Sequence, residues 1–213
     1  HDRLAAMLAT LDPQGSRAEA DAAAVIELQA AFDAQRGAAR AELAAAMSSD
    51  RYRALLDRLV DAARAPRWRS EEDVPEGDAL DEDALDEDAK AALPALVRRS
   101  WKKLRRAAKQ LGPSTSDDEL HEVRILAKRC RYASEAASSV CGRDARRFAT
   151  AVKDLQSVLG DHHDTVVAEE WLRRIAAEHP SVALVAGLLI AAERAERARL
   201  RSTVASTWAK ADR

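Results

Sequence analysis

Helix breakers are so scarce in this sequence that they constrain its fold more than any other feature. Only 7 glycines and 6 prolines interrupt 213 residues, and Ala, Arg, Glu, Leu and Asp dominate the composition. Most of these residues favour helices, and the shortage of β-branched and aromatic side chains nearly excludes a fold rich in β-sheet. Apolar residues also recur three and four positions apart, as they do on the buried face of a helix. The sequence therefore predicts an all-α fold.

Capping residues and breakers divide the chain into successive helices. Ser116 lies three residues before Glu119, which is the spacing of a capping box at a helix start. Gly160 predicts the end of a later helix, and Asp161 or Asp164 can cap the helix that follows. Further helix boundaries are predicted at Ser16, Ser48, Gly112, Gly142 and Pro180. The connections in the second half are short, so neighbouring helices should run antiparallel in a bundle.

The net charge of −2 conceals a strong segregation of charge along the chain. Residues 71–88 contain eleven acidic residues and no basic one, whereas Lys and Arg outnumber Asp and Glu between Arg98 and Lys153. Because like charges repel, the acidic run predicts a flexible linker between helical bundles at 1–70 and 89–213. The alternative is that the acidic run folds onto the basic region and competes there with a ligand.

Neither a membrane span nor a disulfide framework is expected. No stretch approaches 18 uncharged apolar residues, so the sequence predicts no transmembrane helix. The two cysteines, Cys130 and Cys141, are too few for a disulfide scaffold and fit a reducing compartment. The sequence therefore favours a cytoplasmic location.

One predicted helix carries cations along a single face. On a helix that advances about 100° per residue, four basic residues share one side. These residues, named here the basic stripe, are His121, Arg124, Lys128 and Arg131. Such cations repel one another unless an anion lies along them, and both Arg and Lys suit phosphate oxygens. The alternative is a solvated surface helix without a ligand.

The two neighbouring helices are also basic. The preceding helix carries Arg98, Lys102, Arg105 and Lys109, and the following helix carries Arg146, Arg147 and Lys153. Three consecutive basic helices can enclose an extended polyanion. They hold almost no aromatic side chain on which bases could stack, and this favours a phosphate chain over single-stranded nucleic acid.

Two linked patterns in this region resemble the CHAD family of α-helical domains. They are His121-x-x-Arg124-Ile125-x-x-Lys128-Arg129-x-Arg131-Tyr132 and Lys153-x-Leu155-Gln156-x-x-Leu159-Gly160-x-x-x-Asp164. The resemblance covers nearly the whole chain and implies two pseudo-symmetric antiparallel helical bundles, the first of them incomplete here. It also implies binding of inorganic polyphosphate in a basic pore or groove, without catalysis or a cofactor. The resemblance also implies a link to polyphosphate granules, where some members of the family are located, and to a triphosphate tunnel domain, beside which the domain is often found.

The resemblance assigns polyphosphate binding to residues of the second bundle, where phosphate or sulfate could also bind. By their positions in the motifs, these residues are His121, Arg124, Lys128, Arg131 and Lys153, followed by Arg129, Tyr132 and Arg146. The basic helix that precedes them adds Arg98 and Lys102. The first bundle lacks the corresponding His-x-x-Arg helix. We therefore expect either an upstream segment before His1 or a variant with half of the site.

Three further functions compete with polyphosphate binding. His162, His163 and Asp164, with Glu169 and Glu170 further on, suggest a metal-dependent phosphohydrolase. A metal needs three or four converging ligands, and contiguous helical residues point apart, so we expect no metal and no catalytic residue here. No Gly-rich phosphate loop or nucleophile elbow is present in the sequence either. The basic helices are also compatible with a helical domain that binds nucleic acid non-specifically, and with a protein–protein scaffold that has an acidic partner.

Overall fold

The computed structural model describes residues 18–65, 89–112 and 114–212. These residues form six α-helices and no strand, which confirms the prediction of an all-α fold. The helices are α1 (Ala18–Met47), α2 (Asp50–Arg64), α3 (Ala89–Ala108), α4 (Asp117–Cys141), α5 (Arg143–Glu178) and α6 (Ala183–Ala211), and a 3₁₀ turn at Pro180–Val182 precedes α6. None of these six helices combines the length and the apolar character that a membrane span requires.

The chain divides into two compact units, His1–Asp83 and Ala84–Arg213. The predicted acidic linker at 71–88 lies outside the described residues, and so does the helix boundary predicted at Ser16. The arrangement as two pseudo-symmetric bundles, at 1–70 and 89–213, therefore stays a prediction.

The first unit contains α1 and α2, which are joined by a short turn. α2 begins where the Ser49 hydroxyl accepts a hydrogen bond from the Tyr52 amide at 3.2 Å, in agreement with the boundary predicted near Ser48. α2 buries none of its residues, and the side chains of Leu55 and Leu59 are exposed. All the residues predicted to bind an anion belong to the second unit.

A shared hydrophobic core joins α3, α4, α5 and α6 in the second unit. α5 packs against both α4 and α6, and α3 packs against α4. The buried core side chains are Leu104, Ala108, Leu120, Val123, Ala127, Cys130, Val152, Leu155, Leu159 and Val204. Trp101 of α3 adds an edge-to-face contact with Phe148 and a stacked contact with Trp208, each with 5.1 Å between ring centroids. These contacts fix the positions of the three helices that carry the predicted basic residues.

α5 is a single helix of 36 residues, so the predicted break at Gly160 is wrong. Asp161 and Asp164, the residues predicted to cap a new helix, lie inside α5 and are exposed. A glycine in a helix interior costs about 1 kcal/mol relative to alanine, because it loses more backbone entropy on folding. Ten residues between Ala149 and Ile175 are buried along α5. Their burial against two neighbouring helices outweighs the local preference of one glycine.

Both ends of α4 match the prediction. At its start the Glu119 amide donates to the Ser116 hydroxyl at 3.2 Å, and the Ser116 amide donates to the Glu119 carboxylate at 2.7 Å. At its end Gly142 has a φ of 77°, in the left-handed region that favours glycine. α5 begins at the next residue and packs along α4, so the two helices run antiparallel.

Loss of the capping hydroxyl in Ser116→Ala is expected to lower the free energy of unfolding by about 1 kcal/mol, because the Glu119 amide loses its acceptor. Urea denaturation followed by circular dichroism measures this change. Ser206→Ala is the matched control, since the Ser206 hydroxyl is exposed and only donates to a carbonyl within α6. An equal loss in both variants would show that the cap adds no stability of its own.

Candidate anion-binding site

The basic stripe lies on the side of α4 that faces away from the hydrophobic core. Val123, Ala127 and Cys130 are buried on the core side of the helix. Lys128 of the stripe is exposed, and the other three stripe residues are half-buried. The four side chains therefore share a face, as their spacing predicts, and that face is only partly open to solvent.

α5 packs against the first half of the basic stripe. The imidazole rings of His121 and His163 lie 4.2 Å apart between centroids, at an angle of 37°. The Arg124 guanidinium lies across Gly160, where a Cβ atom would be 3.4 Å from the Arg124 Nε atom. The glycine thus leaves room for the guanidinium close to the backbone of α5, and a longer side chain there would displace it.

These two contacts fix the register of the antiparallel pair. They place Lys128 level with Gln156 and Arg131 level with Lys153, since both helices advance by the same rise per residue. The facing row on α5 repeats the spacing of the basic stripe and consists of Lys153, Gln156, Gly160 and His163. The basic stripe and this α5 row together are named the α4–α5 seam.

Several polar atoms of the seam are buried without a hydrogen-bond partner. They are the Nδ1 atom of His121, the Nε atoms of Arg124 and Arg131, and the Oε1 atom of Gln156. Arg131 Nε lies 3.3 Å from a carboxylate oxygen of Glu135. Within the described parts of the chain, no carboxylate lies within ion-pair distance of Arg124, Lys128 or Lys153. Each buried donor left without a partner costs about 1–3 kcal/mol, so a ligand that supplies acceptors is favoured beside Arg124, whereas the Gln156 Oε1 atom itself requires a donor.

Tyr132 lies beside the basic stripe with 50% of its surface exposed. The Arg131 Cζ atom is 4.8 Å from the centroid of its ring, and the Lys128 Nζ atom is 5.8 Å from it. Both distances fit a cation–π interaction, in which the negative face of the ring attracts the cation. Tyr132 therefore helps to hold two cations of the stripe in place.

The arginines of α6 differ from Arg124 of the seam because carboxylates neutralise them. Glu169 accepts hydrogen bonds at 2.6–2.8 Å from Arg173, Arg194 and Arg197. The Asp117 carboxylate lies 3.4 Å from Arg197 and 3.0 Å from Arg201. Hydrogen bonds, with Arg194 contributing most, lower the pKa of Glu169 to about 2. Arg194, Arg197 and Arg201 stabilise the packing of α6 against α5 and α4, whereas Arg124 has no such carboxylate.

The remaining residues predicted to bind an anion lie outside the seam. Arg129 and Arg146 are exposed, and Arg146 continues the α5 row towards the start of that helix. Arg98 lines a cavity of about 280 Å³ together with Trp101 and Phe148, and Lys102 is exposed on α3. Among the described residues, no ion pair or ring contact joins these two α3 cations to the seam.

The adjacent histidines of α5 lie in different surroundings. His162 is buried, and its Nε2 atom is 3.2 Å from the Asp117 carboxylate, whereas His163 contacts His121. Burial lowers the pKa of His162, although Asp117 opposes this shift. The described residues contain no group of three or more His, Cys, Asp or Glu side chains that could hold a metal ion. Glu169, a candidate ligand in the sequence, is occupied by three arginines.

His163, Gly160 and Gln156 are parts of the seam that were not predicted from the sequence as binding residues. A signal for them is present, because their spacing from Lys153 equals the spacing of the basic stripe. The predicted helix break at Gly160 concealed this signal, since it separated His163 from the face that carries Lys153.

The CHAD domain family model matches residues 2–173, a range that contains the whole α4–α5 seam. The chain belongs to the CHAD domain family. The match ends within α5. In this CHAD domain, α6 and the arginines on it therefore lie beyond the matched residues.

Two relatives of this CHAD domain are uncharacterized proteins of Mycobacterium tuberculosis, one from strain CDC 1551 / Oshkosh and one from strain ATCC 25618 / H37Rv. Each is 33% identical over 129 residues, which cover 60% of this chain and 22% of the relative. The alignment thus spans about a fifth of the length of these curated relatives.

Proposed function

We propose that this CHAD domain binds inorganic polyphosphate along the α4–α5 seam and performs no chemistry on it. The observation that carries the proposal is the set of buried donors in the seam that lack an acceptor, beside cations that no carboxylate neutralises within the described residues. The arginines of α6 show how this protein neutralises structural cations. In the seam, no carboxylate of the described residues neutralises Arg124, Lys128 or Lys153. An external anion would supply the negative charge that these cations lack.

The dimensions of the seam suit a chain of phosphates. His121 and Arg131 are ten residues apart, which corresponds to about 15 Å along a helix. Arg124 and Arg131 offer planar groups of N–H donors that match phosphate oxygens, whereas Lys128 and Lys153 act as point charges. A single phosphate would contact one or two of these groups, so a longer chain uses the seam more fully.

Residues outside the seam have supporting roles in this proposal. The exposed cations attract the same polyanion over a wider surface, and they are Arg98, Lys102, Arg129 and Arg146. Tyr132 positions Lys128 and Arg131. We extend the proposal to a cytoplasmic location at polyphosphate granules and to a triphosphate tunnel domain as a partner.

Titration calorimetry with long-chain polyphosphate tests the proposal. Binding at 50 mM salt should weaken by roughly 50-fold at 200 mM, because four seam cations release counterions from the polymer on binding. The absence of binding at 50 mM would contradict the proposal.

A competition experiment with nucleic acid distinguishes polyphosphate binding from non-specific nucleic-acid binding. Duplex DNA at equal phosphate concentration is expected to leave most of the polyphosphate bound, because three of the four stripe residues are half-buried and a stiff duplex reaches them less readily than a flexible phosphate chain. Equal displacement by DNA would show that the site recognises charge alone. In that case non-specific nucleic-acid binding becomes the better proposal.

A further inference from the structure

One end of the α4–α5 seam contains a pair of imidazole rings next to an arginine. His121 and His163 lie 4.2 Å apart between ring centroids, and the Arg124 guanidinium lies over Gly160, one helical turn before His163. We infer that His163 is a binding residue of the seam, and that a phosphate seated against His121, His163 and Arg124 is bound together with a proton. This inference rests on the proposed function.

Two polar atoms at this end of the seam lack a hydrogen-bond partner in the described structure. The His121 Nδ1 and Arg124 Nε atoms are buried and have no hydrogen-bond partner. Gly160 leaves the space above the α5 backbone open to the guanidinium. A phosphate oxygen is an acceptor of the required kind, and it accepts most strongly from donors that carry a positive charge. The seam end therefore has donors placed for a ligand whose own charge favours protonated imidazole.

The surroundings of His163 disfavour the protonated form of its ring in the absence of an anion. Burial lowers the pKa of His163, and the nearby positive groups His121 and Arg124 lower it further. Asp164 and Glu170 of the same helix oppose this shift. The cations that α6 presents in this region, Arg197 and Arg201, contact Asp117 instead, on the side of α5 that carries His162. A bound phosphate would offset the repulsion from His121 and Arg124 and raise the pKa of His163.

Binding and protonation are then linked in a definite direction. If the pKa of His163 is higher in the complex than in the free protein, the complex holds more protons, and affinity rises as the pH falls. One linked proton changes the affinity by at most about tenfold per pH unit. We expect about threefold to tenfold tighter binding at pH 6.0 than at pH 7.5, at constant ionic strength.

Calorimetry of the full chain at pH 6.5 in two buffers, MES and Bis-Tris, measures the number of protons taken up. The probe is long-chain polyphosphate, whose few terminal groups contribute little titration of their own. Uptake of about half a proton to one proton per site is expected. Equal binding enthalpies in the two buffers would show that no proton is taken up, which would overturn this inference and leave polyphosphate binding intact. The absence of binding at pH 6.0 and at pH 7.5 would overturn both.

His163→Gln is the decisive variant, because glutamine keeps a polar group in place but cannot be protonated. It is expected to lose most of the proton uptake and the pH dependence, and to bind up to about fivefold more weakly at pH 7.5 because one seam contact is altered. His179→Gln, at the exposed end of α5, is the matched control and should behave like the unmodified chain. Unchanged proton uptake in His163→Gln would show that another group binds the proton. If that variant does not fold, NMR titration of the His163 ring with and without polyphosphate tests the same expected rise in pKa.

Discussion

Charge reversal at two positions of the basic stripe, Lys128→Glu with Arg131→Glu, is expected to weaken polyphosphate binding by about a hundredfold or more. Each substitution removes one phosphate contact and adds a repulsive charge, and the two positions occupy the half of the seam that lies away from the histidine pair. The loss should be largest at low salt, where phosphate contacts are least screened. Calorimetry with long-chain polyphosphate measures the affinity, and circular dichroism shows whether the helices persist.

The control for this prediction carries the same change in charge elsewhere. Arg174→Glu with Arg199→Glu alters two exposed arginines that pair with Glu178 and Glu196 on their own helices. Its affinity is expected to remain within about threefold of the unmodified chain, because exposed ion pairs contribute little and lie outside the seam. Equal losses in the two variants would mean that polyphosphate responds to overall charge. No loss in the stripe variant would remove the seam as the site.

A neutral variant separates lost attraction from added repulsion. The Arg131 side chain is 20% exposed and lies near Glu135, so a glutamate there also introduces local repulsion in the protein. Lys128→Gln with Arg131→Gln avoids this effect and should bind about tenfold more weakly than the unmodified chain. If the charge-reversed protein unfolds, the neutral variant gives the test.

The basic stripe could be predicted from the sequence because a helix fixes which residues share a face. Once residues near Ser116 and Gly142 define α4, the spacing of His121 and Arg124 places them together without any tertiary information. The α5 row needed more than local signals. Gly160 has a poor helix propensity, but its helix continues because residues on either side of it are buried against α4 and α6. Local propensity does not reflect that burial, so the sequence did not predict that the helix continues past Gly160. As a result, the position of His163 on the same face as Lys153 was not predicted either.

Whether a cation is neutralised could not be predicted either. Arg124 and Arg197 are both half-buried helical arginines in the same unit. Arg197 lies 2.8 Å from Glu169, a residue 28 positions away on another helix, whereas Arg124 lies over a glycine. The difference arises from the register of packed helices, which the sequence pattern of one helix does not contain.

Removal of the carboxylate in Glu169→Ala is expected to lower the free energy of unfolding by about 3 kcal/mol, or the melting temperature by roughly 10 °C. Arg173 and Arg194 are more than half exposed and can turn to water, but the Arg197 side chain is only 17% exposed. Arg197 keeps its hydrogen bonds to Thr165 and loses its closest carboxylate. Urea denaturation measures the change. Glu196→Ala, which removes an exposed pair with Arg199, should cost no more than about 0.5 kcal/mol.

The pH dependence of Glu169→Gln provides an independent check on the same ion pairs. Because the arginines hold the pKa of Glu169 at about 2, below its ordinary value of 4.5, the carboxylate stabilises the fold fully above pH 4.5. That contribution is lost as the pH falls from 4.5 towards 2. Protonation of His162 also reduces stability below its ordinary pKa of 6.5, since burial lowers that pKa in the fold, but this effect is common to both proteins. The stability difference between the unmodified chain and Glu169→Gln should therefore shrink between pH 4.5 and 2. A difference that stays constant over this range would show that Glu169 contributes by packing and not by its charge.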